Sequence, residues 1–252
     1  MDFETRQLQK ILDEAHQLPE VLILKPVTTS TNDDVREIAL KGIQSVLVCS
    51  LRQTQGRGQR QRQWVSPEGN IYLSTLLNTR TPIDGRLALE IALNILQMPS
   101  LKNLDLQVKW PNDLYSAQGK WGGILVEPLS PHQVIVGVGI NLEPVPKEQI
   151  DQHATSLSEL GLANISRIQL VAELYMAIQQ ASEWFDHHCC NLAARFNHYA
   201  AFKNQAVEFE HHSGLCSGIF LGIQDDGAVN IETSEGLKQF YQGRLRRLES
   251  AL

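Results

Sequence analysis

Between residues 104 and 142 the chain can do little except run back and forth as a sheet. Leu104, Leu106, Val108 and Trp110 alternate with polar residues, the period-two pattern of a strand with one buried face, which puts Lys109 on the opposite face. Pro111-Asn112-Asp113 breaks that strand. A second begins at Lys120-Trp121-Gly122-Gly123 and runs through Glu127, and a third covers Gln133 to Leu142 after a Ser130-Pro131 turn. Connections this short join antiparallel neighbours, so the segment predicts a three-stranded meander. It brings Asn112, Asp113 and Lys120 towards one end of the sheet.

The flanking segments supply helices to cover that sheet. Leu8, Ile11, Leu12 and Ala15 fall at helical spacing, as do Val35, Ile38 and Ala39. The second set follows Thr29-Ser30-Thr31-Asn32-Asp33-Asp34, where Ser30 or Thr31 suits an N-cap and the acids suit the helix dipole. Val21 to Leu24, Ser45 to Leu51 and Ile71 to Leu77 read as strands. A largely apolar helix is predicted from about Ile83 to Gln97, a loop over 143–160, a helix from Ser166 through Phe185 and a further helical piece to Ala201. The last fifty residues change character to five short strands with turns at Asp225-Asp226-Gly227 and Ser234-Glu235-Gly236, the pattern of a small β-barrel. The expected class is α+β: a mixed, mostly antiparallel sheet with covering helices over residues 1–202, and a small barrel over 203–252.

Against a net charge of -6 one stretch is anomalous. From Arg52 to Trp64 there are four arginines, five glutamines, two glycines and no acid. Its bulk cannot be core. Alone it reads as a solvated basic surface, and its composition predicts disorder when no ligand is bound; beside a second set of polar groups its forked donors suit an anion. The acidic balance of the whole chain argues against general nucleic-acid affinity. The polar first residues hold no secretory signal and no apolar run approaches a membrane span, so a cytoplasmic location is expected. Cys49, Cys189, Cys190 and Cys216 have no C-x-x-C spacing and read as reduced thiols. His187-His188-Cys189-Cys190 points in four directions on a helix and cannot converge on one metal ion.

The chemistry legible from these pieces is that of joining two anions. Ser30, Thr31 and Asn32 offer hydroxyls and an amide, the arginine loop follows Gln53, and Lys109, Asn112, Asp113 and Lys120 gather at the meander end. There is no paired-carboxylate site, no G-x-S-x-G elbow and no phosphate-binding P-loop. Gly137-Val138-Gly139-Ile140-Asn141 lacks the third glycine of a dinucleotide fingerprint and falls within or at the end of a strand.

Ser30-Thr31-Asn32, Gln53-Thr54-Gln55-Gly56-Arg57-Gly58, Trp64, Lys109-Trp110-Pro111-Asn112-Asp113, Lys120 through Glu127 and Gly137 through Asn141 stand in the order found in biotin–protein ligases. On this ordered set the chain resembles that family over about residues 21–142, and more loosely over the terminal barrel. The resemblance implies a catalytic domain like that of class II aminoacyl-tRNA synthetases with an SH3-like barrel. It implies ATP and biotin as substrates with Mg²⁺, formation of biotinyl-5′-AMP, and transfer to one lysine of a biotin carboxyl carrier protein. Carried over residue by residue, Ser30, Thr31, Asn32, Gln53, Arg57, Gly58, Gln59, Lys120, Gly122 and Gly123 would bind biotin, and Arg57, Trp64, Lys109, Asn112 and Asn141 the nucleotide. Lys120, Arg57 and Asp113 would be catalytic, Asp113 as proton acceptor or orienter of the incoming amine.

Two positions depart from the family loop, G-R-G-R-x-G-R: Gln59 replaces its second arginine and Gln61 its last glycine. About twenty residues precede the first strand, too few for the DNA-binding domain that some members carry, so no DNA is expected; a homodimer is. The competing readings are a lipoate–protein ligase or octanoyl transferase, families without the K-W-P-N-D and G-R-G patterns, and a module that senses biotin or adenylate without transferring it.

Overall fold

The computed structural model describes residues 2–146, 153–163, 165–187 and 191–248. Helix α1 (Phe3–Glu14) starts where Asp2 accepts from the Thr5 amide, and strand β1 (Val21–Thr28) follows. Then come α2 (Thr31–Ala39), β2 (Val46–Gln53), β3 (Ile71–Asn78), α3 (Arg86–Leu96), β4 (Gln107–Lys109), β5 (Asp113–Ser116), β6 (Gly119–Ser130) and β7 (Gln133–Ile140). Helices α4 (Arg167–Asp186) and α5 (Leu192–Tyr199) lead to strands β8 (Ala206–His211), β9 (Gly214–Ile223), β10 (Val229–Thr233), β11 (Gly236–Phe240) and β12 (Arg244–Arg247).

Seven strands make one sheet in the order β1-β2-β3-β7-β6-β5-β4, with β1 parallel to β2 and the other pairs antiparallel. The mixed, mostly antiparallel sheet is thus as expected. The meander gains a strand over the prediction: Pro111, joined to Trp110 by a cis peptide, turns the chain so that Asp113 comes back opposite Lys109, and four residues suffice for β5. The third helix begins at Arg86 rather than Ile83, because the Asp84 carboxylate takes the Arg86 amide and holds the preceding residues in a turn.

The sheet's two faces are covered unequally. Leu47, Cys49, Leu73 and Val136 point into a large core shared with α1, α3 and α4. Val46, Val48, Leu76 and Ile135 face the other way and pack with Val35 of α2. This second helix is short and covers only part of its face with Val35, Ile38 and Ala39; past its N-terminal end the face is open. The second sheet is antiparallel, ordered β11-β10-β9-β8-β12. Its Phe209, Phe220, Val229 and Ile231 continue the large core. Trp110 joins the two sheets: its indole N–H donates to the Gly227 carbonyl at 3.1 Å and its ring lies 5.7 Å from that of Phe209. The Ala201 amide bonds the Val108 carbonyl at 2.9 Å and so covers the outer edge of β4. Residues 188–190 of the His-Cys run lie outside the described residues.

Candidate active site

The uncovered part of the α2 face is a cavity of about 390 Å³. Its walls come from segments distant in sequence: the first turn of α2, the loop after β2, the β4–β5 corner, and strands β6 and β7. All of the predicted site residues line it except Gly122, whose added Cβ would meet Gly139 O and Leu114; that glycine serves strand packing.

One half of the cavity is a network of neutral hydrogen-bonding groups. Gln53 Oε1 accepts from the Thr31 amide at 2.9 Å and from its hydroxyl at 3.1 Å, while Gln53 Nε2 donates to Ser66 Oγ at 3.1 Å. Ser74, buried on β3, donates to Thr31 Oγ1 at 2.7 Å and Asn32 Oδ1 at 2.6 Å. Ser30 stands at the N-cap position, yet its side chain makes no capping bond; its carbonyl takes the Asp33 and Asp34 amides. The capping expectation is corrected to this extent: the hydroxyl is not spent on the helix, and Ser30 lines the cavity.

The other half is ionic. Asp113 Oδ1 lies 2.6 Å from Lys120 Nζ, and Oδ2 lies 3.1 Å from Lys109 Nζ. Burial works to raise the Asp113 pKa, but the charges of Lys120 and Lys109 outweigh it and hold the carboxyl below its usual range. Burial likewise pulls the Lys109 ammonium below its ordinary value, with Asp113 opposing. Asp113 is therefore a carboxylate at neutral pH, suited to orienting two lysines and poorly suited to accepting a proton. Lys120 Nζ also lies 5.0 Å from the centre of the Trp64 ring. That ring lies against bare backbone: a Cβ on Gly139 would sit 2.6 Å from its Cε2 and Nε1, and one on Gly123 3.1 Å from its Cζ3.

The arginine loop is a hydrogen-bonded hairpin, where its composition suggests a chain without fixed structure. Trp64 N–H donates to Gly56 O at 2.9 Å and Gly58 N–H to Arg62 O at 2.8 Å, across a bridge between Arg57 and Gln63. Gln59–Gln61 form one 3-10 turn, with Arg60 at a φ of 56°. Arg57 donates both Nη atoms to Asp33, each at 2.7 Å, and lies 3.7 Å from Glu127. The Arg57 pair lowers the Asp33 pKa and raises that of Arg57. Asp33 stands in the first turn of α2, as the helix-dipole reading has it, and also takes both Nη atoms of Arg57.

Asn112 and Asn141 are buried, and both amides have structural tasks. Asn112 Nδ2 donates to Ile124 O at 2.6 Å, and Asn141 Nδ2 to Thr155 O at 3.1 Å. The sequence reading missed Ser74, Glu127 and Arg244. Arg244, at the start of β12, reaches the cavity from the second sheet and repels Lys109, which lowers the pKa of that lysine. Nothing local marks it, since Lys109, the lysine it repels, lies more than a hundred residues earlier.

Known proteins resemble this chain in sequence and in fold. Residues 24–141 match the biotin/lipoate A/B protein ligase family. The chain is 33% identical over 216 residues to the biotin–[acetyl-CoA-carboxylase] ligase of Mycobacterium tuberculosis, covering 81% of this chain and 80% of that one. It is 29% identical over 233 residues to the bifunctional ligase/repressor BirA of Bacillus subtilis, covering 87% and 72%. The biotin protein ligase of Aquifex aeolicus, solved in complex with biotin and ATP, superposes with a TM-score of 0.76 at 28% identity, covering 90% of this chain and 99% of that one. Likeness that runs through both sheets, at this identity and coverage, establishes that the chain belongs to the biotin/lipoate A/B protein ligase family.

Proposed function

We propose that this cavity activates biotin with ATP and passes the biotinyl group to a lysine of a biotin carboxyl carrier protein. The observation that carries the reading is the junction of its two halves: a neutral network at Thr31, Asn32, Gln53 and Ser74 meets a cationic corner at Lys109 and Lys120. Biotin has the same two ends, a neutral urea that needs paired donors and acceptors and a carboxylate that needs cations.

In the first step a biotin carboxylate oxygen bonds to the α-phosphorus of ATP and pyrophosphate leaves, giving biotinyl-5′-AMP. In the second, the carrier lysine, having lost a proton, attacks the acyl carbon and AMP leaves. Lys120 reaches both the carboxylate and the α-phosphate, where it offsets their repulsion and steadies the charge that builds on the transferring group. Asp113 keeps Lys120 and Lys109 aimed into the cavity. Trp64 walls the nucleotide, with Gly58 and Gln59 as backbone over the biotin carboxylate and Asn141 at the adenine. Mg²⁺ enters with ATP as part of the substrate: the site's carboxylates, Asp113, Asp33 and Glu127, are already held by lysine and arginine side chains.

The same reading takes residues 1–202 as the catalytic domain and 203–252 as an SH3-like barrel, assigns the protein to the cytoplasm, and includes a homodimer without DNA binding. The test is to incubate the protein with ATP, a carrier domain and either biotin or lipoate, and to blot for the modification. Labelling with biotin is expected; labelling with lipoate alone, or with neither acid, would replace the reading.

A further inference from the structure

Arg57 is the residue of the basic loop with the strongest apparent claim on an anion, yet its charge is already matched. Both Nη atoms are seated on the two oxygens of Asp33 at 2.7 Å. Glu127, on β6, stands 3.7 Å from one of the same Nη atoms. An incoming phosphate would meet a guanidinium compensated by two carboxylates, one of them in the bidentate geometry that gives such pairs their strength. The fork is therefore better placed to hold the loop than to hold a substrate.

The partners of Glu127 show what is being held. Its Oε2 accepts from Asn32 Nδ2 at 2.9 Å and from Arg36 Nη2 at 3.2 Å. Asn32 in turn takes the Ser74 hydroxyl through Oδ1. Asn32 also lies so close over Gly137 that any side chain there would displace it. One carboxylate thus links the loop arginine to the amide on the neutral side of the cavity. Asp33 and Asn32 are adjacent in the first turn of α2, so the loop and the neutral network are fastened to the same helical turn.

We infer that Asp33 and Glu127 form a carboxylate clasp that seats the 56–64 loop through Arg57, which makes Asp33 a positioning residue and gives Arg57 an anchoring task rather than a substrate-binding one. The inference rests on the ligase reading for its kinetic consequences and on the contacts alone for its structural ones. Closure of the loop and order in the biotin half of the cavity are one event, because Glu127 takes part in both.

The experiment compares wild type with Asp33→Asn, Asp33→Glu, Arg57→Gln and the double variant Asp33→Asn/Arg57→Gln. Without ligand, trypsin cleavage after Arg60 and Arg62 is expected to speed up about fivefold in Asp33→Asn, the scale of a partly exposed ion pair, and to fall back towards wild type in Asp33→Glu. In the biotinylation assay Asp33→Asn should raise the KM for biotin more than it lowers kcat. The double variant should be no worse than Arg57→Gln alone, since the two residues act through one contact. Cleavage at the wild-type rate in both Asp33→Asn and Arg57→Gln would overturn the clasp. So would a lowered KM for ATP in Asp33→Asn, the mark of an arginine released to its substrate, or losses that multiply in the double variant. A wild type that transfers no biotin would remove the ligase reading and leave the trypsin comparison standing.

Discussion

Asp113 shares its two oxygens between Lys120 at 2.6 Å and Lys109 at 3.1 Å. One carboxylate cannot neutralise two ammoniums, so the corner keeps an excess positive charge facing the cavity. Because all three side chains are largely buried, that charge is weakly screened and acts strongly on whatever anion enters. The contacts also fix positions: both lysines lean on Asp113 and line the cavity rather than spread into solvent.

Replacing Lys120 should therefore strike the first chemical step. Lys120→Ala is expected to slow adenylate formation by about 100-fold or more, the usual scale for deleting one donor at a developing charge. Pyrophosphate release reports the step directly; a wild-type rate would show that the lysine has no part in it.

Asp113→Asn should cost stability as well as activity, about 3 kcal/mol at pH 7, because two buried ammoniums would lose their counter-ion. The folded-state pKa of Asp113 is depressed below 3.8, so its contribution is fully present above that value and is lost as pH falls through the folded pKa. Melting curves of wild type and variant should converge as the pH is taken below 3.8. A gap that stays constant down to the acid limit would mean that the carboxylate charge is not what matters.

Gly139→Ala tests the wall of the nucleotide pocket. The new methyl would lie 2.6 Å from the Trp64 ring, so the ring must move off β7. Overpacking of this kind costs about 1–3 kcal/mol. The KM for ATP should rise about tenfold with a shift in tryptophan fluorescence, whereas unaltered emission and KM would place the ring elsewhere during turnover.

Arg244 provides a check on the contribution of the second sheet. Arg244→Ala should raise the KM for ATP about tenfold, as loss of one contact to a charged group does, and leave the KM for biotin alone. Steady-state kinetics with each substrate varied in turn distinguishes the two.

Much of this site could be read from the chain because its parts are local patterns. A hydroxyl-rich helix start, a glycine-arginine loop after a strand and a strand broken at Pro111 each announce themselves within a few residues. The period-two run from Leu104 to Trp110 placed Lys109 opposite the core, and the structure has it on the cavity wall. Pairings across the fold were not legible. Glu127 lies ninety-five residues from Asn32, and Ser74 sits beside Thr75 in a largely apolar strand where a hydroxyl looks incidental. Strand β5 was missed because four residues after a turn give no period to count. For the same reason composition reports the loop's glycines and glutamines, and not the Asp33 carboxylate that takes Arg57.

The position of β1 at the margin of the large sheet has a consequence for how the protein behaves when crowded. The opposite margin, β4, is covered at Val108 by the chain near Ala201, whereas among the described residues β1 has a strand partner on one side alone, β2. An open strand edge is a template on which copies of a chain can aggregate. Position 26 of β1 is proline, which has no N–H to give a neighbouring strand and drops out of the pairing with β2. With no donor at Pro26, the edge is a poorer template for a long ladder with a stray strand. A single ring closure at Pro26 guards the margin, and Pro26→Ala should lower the concentration at which the protein forms fibrillar or amorphous aggregates while leaving its catalytic cavity untouched.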